Sequence, residues 1–370
     1  GGVLFAAAFR QFHLPWVLAL IAAGMVIGPY GTGWVTPDPT FSFISEIGLI
    51  LLMFMAGLET KLSSFRSYGR DLAWLSLINA AVPFVVGFGI GWLFDFSNTA
   101  SLLIGIIFMS SSIAVIVPSL EAAGLMHKKL GRSIVAATIV EDVASMVILS
   151  ILLQNLQPVT ALPLYSFYFI LAVILIAFRY GLPRIRDLIP HRRDENDLFE
   201  SEVRIVMAML IGVVITFELL GLHPIIAGFF AGLVLSDSIK SDILIDKLRT
   251  ISYGVFIPVF FIMIGMETDL SVFFEGIAVL GLIAAIVIGS IGSKFMSGWL
   301  GARAAGFSPS DAYTFGISTI PQLSTSLAVV FTAVELELIP NELITAMVFL
   351  SIVTTLVSPL LLRSKYPTLS

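Results

Sequence analysis

Gly57-Leu58-Glu59-Thr60-Lys61-Leu62-Ser63-Ser64-Phe65 returns as Gly265-Met266-Glu267-Thr268-Asp269-Leu270-Ser271-Val272-Phe273, so position 57 maps onto position 265 at an offset of 208. The same offset carries Ala23-Gly24-Met25-Val26-Ile27 onto Ala231-Gly232-Leu233-Val234-Leu235. Two matches in one register mark an internal repeat. What lies between the copies decides its meaning. The chain has 370 residues, 58% hydrophobic and 12% charged, with a mean hydropathy of +1.01. That composition belongs to a polytopic membrane protein and excludes an ordinary soluble domain. Cutting at polar and Pro/Gly breaks, and asking roughly 17 to 25 residues per crossing, gives about thirteen helices. They fall at 1–9, 14–30, 43–58, 71–94, 100–121, 131–153, 163–180, 202–220, 223–236, 251–266, 273–300, 308–335 and 342–362. The first is too short to span; it aligns with 202–220, so a longer first helix is expected upstream. The offset therefore covers seven helices, an odd number, and the second copy must enter the membrane in the opposite sense. The expected fold is all-α and polytopic, two inverted-topology repeats of the kind secondary transporters use for alternating access.

The charges sort themselves on this map. Every lysine and arginine but one falls in an odd-numbered connection, from Arg10 and Lys61 through Lys128, Lys129, Arg192, Arg193 and Lys247 to Arg363 and Lys365. The charged residues of the even-numbered connections are acidic, among them Asp38, Asp95, Glu267, Asp269, Glu275, Glu335, Glu337 and Glu342. By the positive-inside rule the odd side is cytoplasmic, which places the C-terminus inside. The remaining cation is Lys294, in the middle of the span 273–300.

A buried counter-charge exists for it. Glu141-Asp142 interrupts the apolar run Ser133–Leu153, where a carboxylate costs several kcal/mol and by default marks an ion or proton pathway. Adjacent helix positions point about 100° apart, so the two acids cannot both face one partner. Asp142 is assigned to the cavity and Glu141 to its edge or a neighbouring helix. Lys294 is expected either as the partner of Glu141 or as a competitor at Asp142. Two further spans carry breaks: Ser110-Ser111-Ser112 with Pro118, and Thr319-Ile320-Pro321-Gln322-Leu323-Ser324-Thr325-Ser326. Positions 111 and 319 are again related by the repeat. Broken backbone at membrane depth is tolerated where it is buried or lines a cavity, which predicts two crossed, interrupted helices beside the acids and the lysine. Ser111, Ser112 and Thr325 are the candidate cation ligands there.

These features together, with the Gly-Leu-Glu-Thr ending of the third helix, resemble the monovalent cation:proton antiporter-2 family of Kef-type potassium efflux systems and bacterial sodium/proton antiporters. The resemblance covers the whole chain. It implies a sodium/proton antiporter-like fold and makes Asp142 the residue that binds Na+ or K+ and exchanges protons. The family's first acid position is Asp, Asn or Gln, and this chain has Glu141. Where the family commonly carries Arg-Gly-Glu or Gln-Gly-Glu, it has Pro321-Gln322-Leu323-Ser324.

The expected function is secondary active exchange of a monovalent cation, Na+ or K+, for protons, with no cofactor and no enzymatic chemistry. An intramembrane aspartyl protease needs acids on two helices and is excluded. A channel or sensor on the same fold, or a sodium-coupled organic-anion symporter, is the alternative. Cysteine is absent, so no disulfide, thiol gate or Cys metal site exists. Residues 1–65 and 201–272 are expected as scaffold and dimer helices, and 66–155 and 273–370 as core transport helices. Residues 156–200 form the linker helix and charged tether. The expected partners are the lipid bilayer of a bacterial or archaeal inner membrane, a second copy of the chain and a cytoplasmic regulatory domain or subunit, with no nucleic acid.

Overall fold

A computed structural model of the chain describes residues 16–59, 70–156, 201–220, 223–236, 239, 241–274 and 276–366, with isolated positions between 169 and 184. The expected helix at 1–9 lies outside the described residues, and only isolated positions of 163–180 fall within them. The helices are α1 (Trp16–Ile27), α2 (Pro39–Glu59), α3 (Arg70–Leu93), α4 (Asn98–Met109), α5 (Ile113–Ala122), α6 (Lys129–Leu156) and α7 (Ser201–Leu219). They continue as α8 (Pro224–Leu235), α9 (Asp242–Ile251), α10 (Ile257–Glu267), α11 (Ile277–Ala304), α12 (Pro309–Ser318), α13 (Ser324–Glu335) and α14 (Asn341–Lys365). Among the described residues, seven helical stretches are long and apolar enough to cross a membrane.

The repeat is legible in these boundaries. Shifted by 208, α1 becomes α8 end for end, and α3 falls at 278–301, inside α11. The broken pair α4/α5 corresponds to the broken pair α12/α13, and α6 to α14. The second repeat departs from expectation at two elements. The helix expected at 251–266 begins at Asp242, capped by Ser241, whose Oγ accepts from the Leu244 N–H at 3.3 Å. Its first turns carry Asp242, Asp246, Lys247 and Arg249 and bury Leu244 and Leu248, an amphipathic pattern that an apolar-run criterion discards. A π-turn, Ser252–Phe256, joins it to α10. The helix expected from 273 starts instead at Ile277, after a 3-10 turn over Leu270–Phe274; Gly276, at φ 133°, makes the intervening turn.

Contacts divide the chain into two compact units. One takes the described residues of Gly1–Ser42, Ser67–Leu149 and Phe261–Ser370; the other takes those of Phe43–Arg66 and Ser150–Phe260. The first unit thus holds residues 16–42 together with the described residues of 67–149 and from 261 onward. Glycine explains the attachment. In the first unit an added Cβ at Gly24 would lie 3.0 Å from the Gly265 Cα, and one at Gly28 would lie 2.8 Å from the Met266 Cα. In the second, an added Cβ at Gly57 would lie 3.0 Å from the Gly232 Cα. Gly24 and Gly232 are repeat mates, as are Gly57 and Gly265, so each unit holds one copy of the same helix contact. The Gly24-x-x-x-Gly28 and Gly228-x-x-x-Gly232 spacings thus serve packing within one chain. At the end of α2, Glu59 Oε1 accepts from Arg249 Nη2 at 3.2 Å, which makes it an anchor of the second unit.

Gly232→Val is therefore expected to destabilise the fold by about 3 kcal/mol, because its branches would meet the Phe54 and Leu58 backbone rather than a movable side chain. Gly212→Ala is the control: nothing lies within 4 Å of an added Cβ there. Thermal unfolding in detergent should separate the two, and equal melting temperatures would contradict the packing assignment.

Candidate ion-exchange site

The site lies in the first unit, where α4/α5 and α12/α13 break. Each break frees the carbonyls of the preceding helical turn, and at membrane depth these need new donors. The structure supplies most of them from the opposite repeat. The Ile107 carbonyl accepts from Ser110 Oγ at 3.1 Å and from Ser326 Oγ at 3.5 Å. The Phe108 carbonyl accepts from Gln322 Nε2 at 3.0 Å, and the Met109 carbonyl from Lys294 Nζ at 2.6 Å. In the other direction, Ser112 N donates to the Pro321 carbonyl at 2.7 Å and Ser111 Oγ to the Thr319 carbonyl at 2.8 Å. Ser111 and Thr319 are repeat mates. The chain thus crosses itself at equivalent positions of its two halves.

Lys294, from α11, and Glu141, from α6, meet beside this crossing. Their side chains are fully buried and their separation is 2.8 Å, Nζ to Oε2. The ammonium has three hydrogens and three acceptors: Glu141 Oε2, the Met109 carbonyl and, at 3.5 Å, the Asn79 carbonyl. Pro83 makes the last of these available. It sits inside α3, four residues after Asn79, and has no N–H to return to the Asn79 carbonyl. Glu141 is equally well served, since Oε2 also accepts from Ser111 Oγ at 2.8 Å and Oε1 accepts from Asn79 Nδ2. Ser111 has one hydroxyl hydrogen for two acceptors, Glu141 and the Thr319 carbonyl, and serves one at a time.

Asp142 is different. It is 2% exposed, yet its Oδ1 has no hydrogen-bond partner. The Glu141 and Lys294 charges act on it, and the Thr325 side chain and the Ser111 backbone lie beside it. Three other buried oxygens of the two breaks are also without partners: Ser112 Oγ, Thr325 Oγ1 and Gln322 Oε1. Buried polar atoms are rarely left so. A carboxylate with hydroxyl and amide oxygens is the donor chemistry of a hard cation such as Na+ or K+.

Of the residues singled out from sequence, the structure brings Glu141, Lys294 and Ser111 into one hydrogen-bonded cluster, while Asp142, Ser112 and Thr325 each carry a buried oxygen without a hydrogen bond. Sequence reasoning missed Asn79, Ser297, Gln322 and Ser326. Asn79 carried the same signal as Lys294, a polar side chain inside the apolar run 72–90; Gln322 and Ser326 carried none beyond their place in or beside a break, and Ser297 none beyond its place one turn after Lys294.

Two repeats with crossed, interrupted helices around a buried charge pair define a secondary transporter and not an enzyme. The family model "Sodium/hydrogen exchanger, transmembrane" matches residues 2–363. The chain is 31% identical over 361 residues to a protein of Methanocaldococcus jannaschii described as probable Na+/H+ antiporter 3, covering 96% of this chain and 91% of that one. It is 30% identical over 364 residues to a Na+/H+ antiporter of Enterococcus hirae, covering 96% and 92%. Its fold matches that of the sodium proton antiporter MjNhaP1 of M. jannaschii with a TM-score of 0.73 at 17% identity, over 99% of this chain and 94% of that one. The chain belongs to the sodium/hydrogen exchanger family, whose members are cation/proton antiporters of the membrane.

Proposed function

We propose that the protein exchanges Na+ or K+ for protons by alternating access, with Asp142 as the shared site of cation and proton. The observation that carries this reading is the contrast within one dipeptide: Glu141 has a partner for each oxygen, whereas Asp142 Oδ1 has none. A site that must bind a cation in one half-cycle and a proton in the other needs an oxygen not already committed. Ser112 and Thr325 supply further oxygens, and Ser111 serves the charge pair. An empty crossing would carry a bare buried carboxylate and is penalised, which couples the two fluxes.

Glu141, held by Lys294, stays outside the cycle in this reading, so exchange is one for one and electroneutral. Within the family, Asp142 as the second acid of the pair, the buried lysine and the broken helices support placement with the monovalent cation:proton antiporter-2 group, from whose pattern Glu141 departs. The working unit is a homodimer in a bacterial or archaeal cell membrane, C-terminus in the cytoplasm, with 1–65 and 201–272 as scaffold and 66–155 and 273–370 as moving core. The test is dequenching of a pH dye in proteoliposomes, titrated separately with Na+, K+ and Li+. Saturable, cation-dependent proton release is expected, with no potential registered by a membrane-potential dye. Flux without saturation or without proton coupling favours the channel or sensor reading. A potential generated in the wild type and lost in Glu141→Gln would show that Glu141 carries a transported proton, against the electroneutral assignment.

A further inference from the structure

Asn79 is 0% exposed in the middle of α3, where an unbonded amide is costly. Its polar groups converge on the charge pair without touching Asp142's free oxygen. Nδ2 donates to Glu141 Oε1, Oδ1 accepts from Ser297 Oγ at 2.9 Å, and the carbonyl freed by Pro83 faces Lys294 Nζ at 3.5 Å. The amide orientation follows from its surroundings: turned over, its Oδ1 would face a carboxylate oxygen, acceptor against acceptor. Gly298 lets α11 approach, since an added Cβ there would lie 3.2 Å from Asn79 Oδ1. Asn79 therefore holds Glu141 from one helix and Lys294 from another with a single side chain and its own backbone.

We infer that Asn79 is a positioning residue of the exchange cycle: with Ser297 behind it, it keeps Glu141 on Lys294 and so keeps the ammonium from competing with the transported cation at Asp142. The inference rests on Asp142 being the exchanging site. The groups around Glu141 are Lys294 from α11, Ser111 from the first break, Asn79 from α3, and Asp142 on its own helix; Lys294 acts electrostatically on both acids. Without the amide, Glu141 Oε1 loses its hydrogen-bond donor, while Oε2 keeps Lys294 and Ser111. The pair loosens, and the lysine turns toward the neighbouring carboxylate.

The experiment is cation-titrated proton release in proteoliposomes for Asn79→Leu, Ser297→Ala and their combination. Asn79→Leu is expected to raise the KM for the cation about tenfold, on the order of one hydrogen bond to a charged group, with a smaller change in maximal rate. Ser297→Ala should shift KM the same way by less, and the double variant should match Asn79→Leu alone, because both act through one contact. An unchanged KM, a loss confined to maximal rate, or additive effects in the double variant would overturn the inference. Should Asn79→Leu not fold, Ser297→Ala decides alone, and an unshifted KM there overturns it. Asp142→Asn runs in parallel; exchange surviving in that variant defeats the underlying site reading, whatever Asn79 does.

Discussion

Asp142→Asn should reduce cation-dependent proton release to the background of empty liposomes while leaving a folded protein. The amide keeps the volume of the carboxyl but neither titrates nor presents a negative charge to a cation. Stability should hold or rise slightly, because the change removes a carboxyl whose Oδ1 has no hydrogen-bond partner in the buried site. This separation of outcomes makes the variant informative: activity lost with the melting temperature intact assigns the exchange step to Asp142. Wild-type rates in Asp142→Asn would sink the assignment, whatever the neighbouring residues do.

The second large effect is on stability. Lys294→Met leaves Glu141 fully buried with its counter-charge gone and the Met109 carbonyl without the ammonium it accepts from. Removing one partner of a buried pair costs about 3 to 5 kcal/mol, so a marked fall in melting temperature in detergent is expected. Neutralising the other member should reverse most of it: in Glu141→Gln/Lys294→Met no charge is stranded at position 141, and the Gln amide can still meet Asn79 and Ser111. If the double variant is no more stable than Lys294→Met, the loss comes from packing around the lysine rather than from a stranded charge.

Much of this architecture was legible in the chain. The register of the repeat, the positions of both breaks and the buried acids and lysine all rest on composition and spacing, which survive without coordinates. The start of α9 at Asp242 was not legible, because hydropathy averages away an amphipathic helix whose charges lie on one side. Nor was the choice between Glu141 and Asp142 as the partner of Lys294. That depends on the rotation of α6 and α11 about their axes, and the pattern of a nearly all-apolar span leaves this rotation open. Asn79 shows the same limit from the other side: its polarity was visible, but a bond to a residue 62 positions away was not.

The bonding of the two breaks has a mechanical corollary. The freed carbonyls of Ile107, Phe108 and Met109 are held by Ser326, Gln322 and Lys294, and the Pro321 and Thr319 carbonyls by Ser112 and Ser111. Neither interrupted helix can slide or rewind alone without stripping buried hydrogen-bond donors from the other. The crossing therefore behaves as a rivet. Whatever displacement opens the site to one side of the membrane and then the other must carry both breaks together, and the give has to be found in the helix-to-helix surfaces around them.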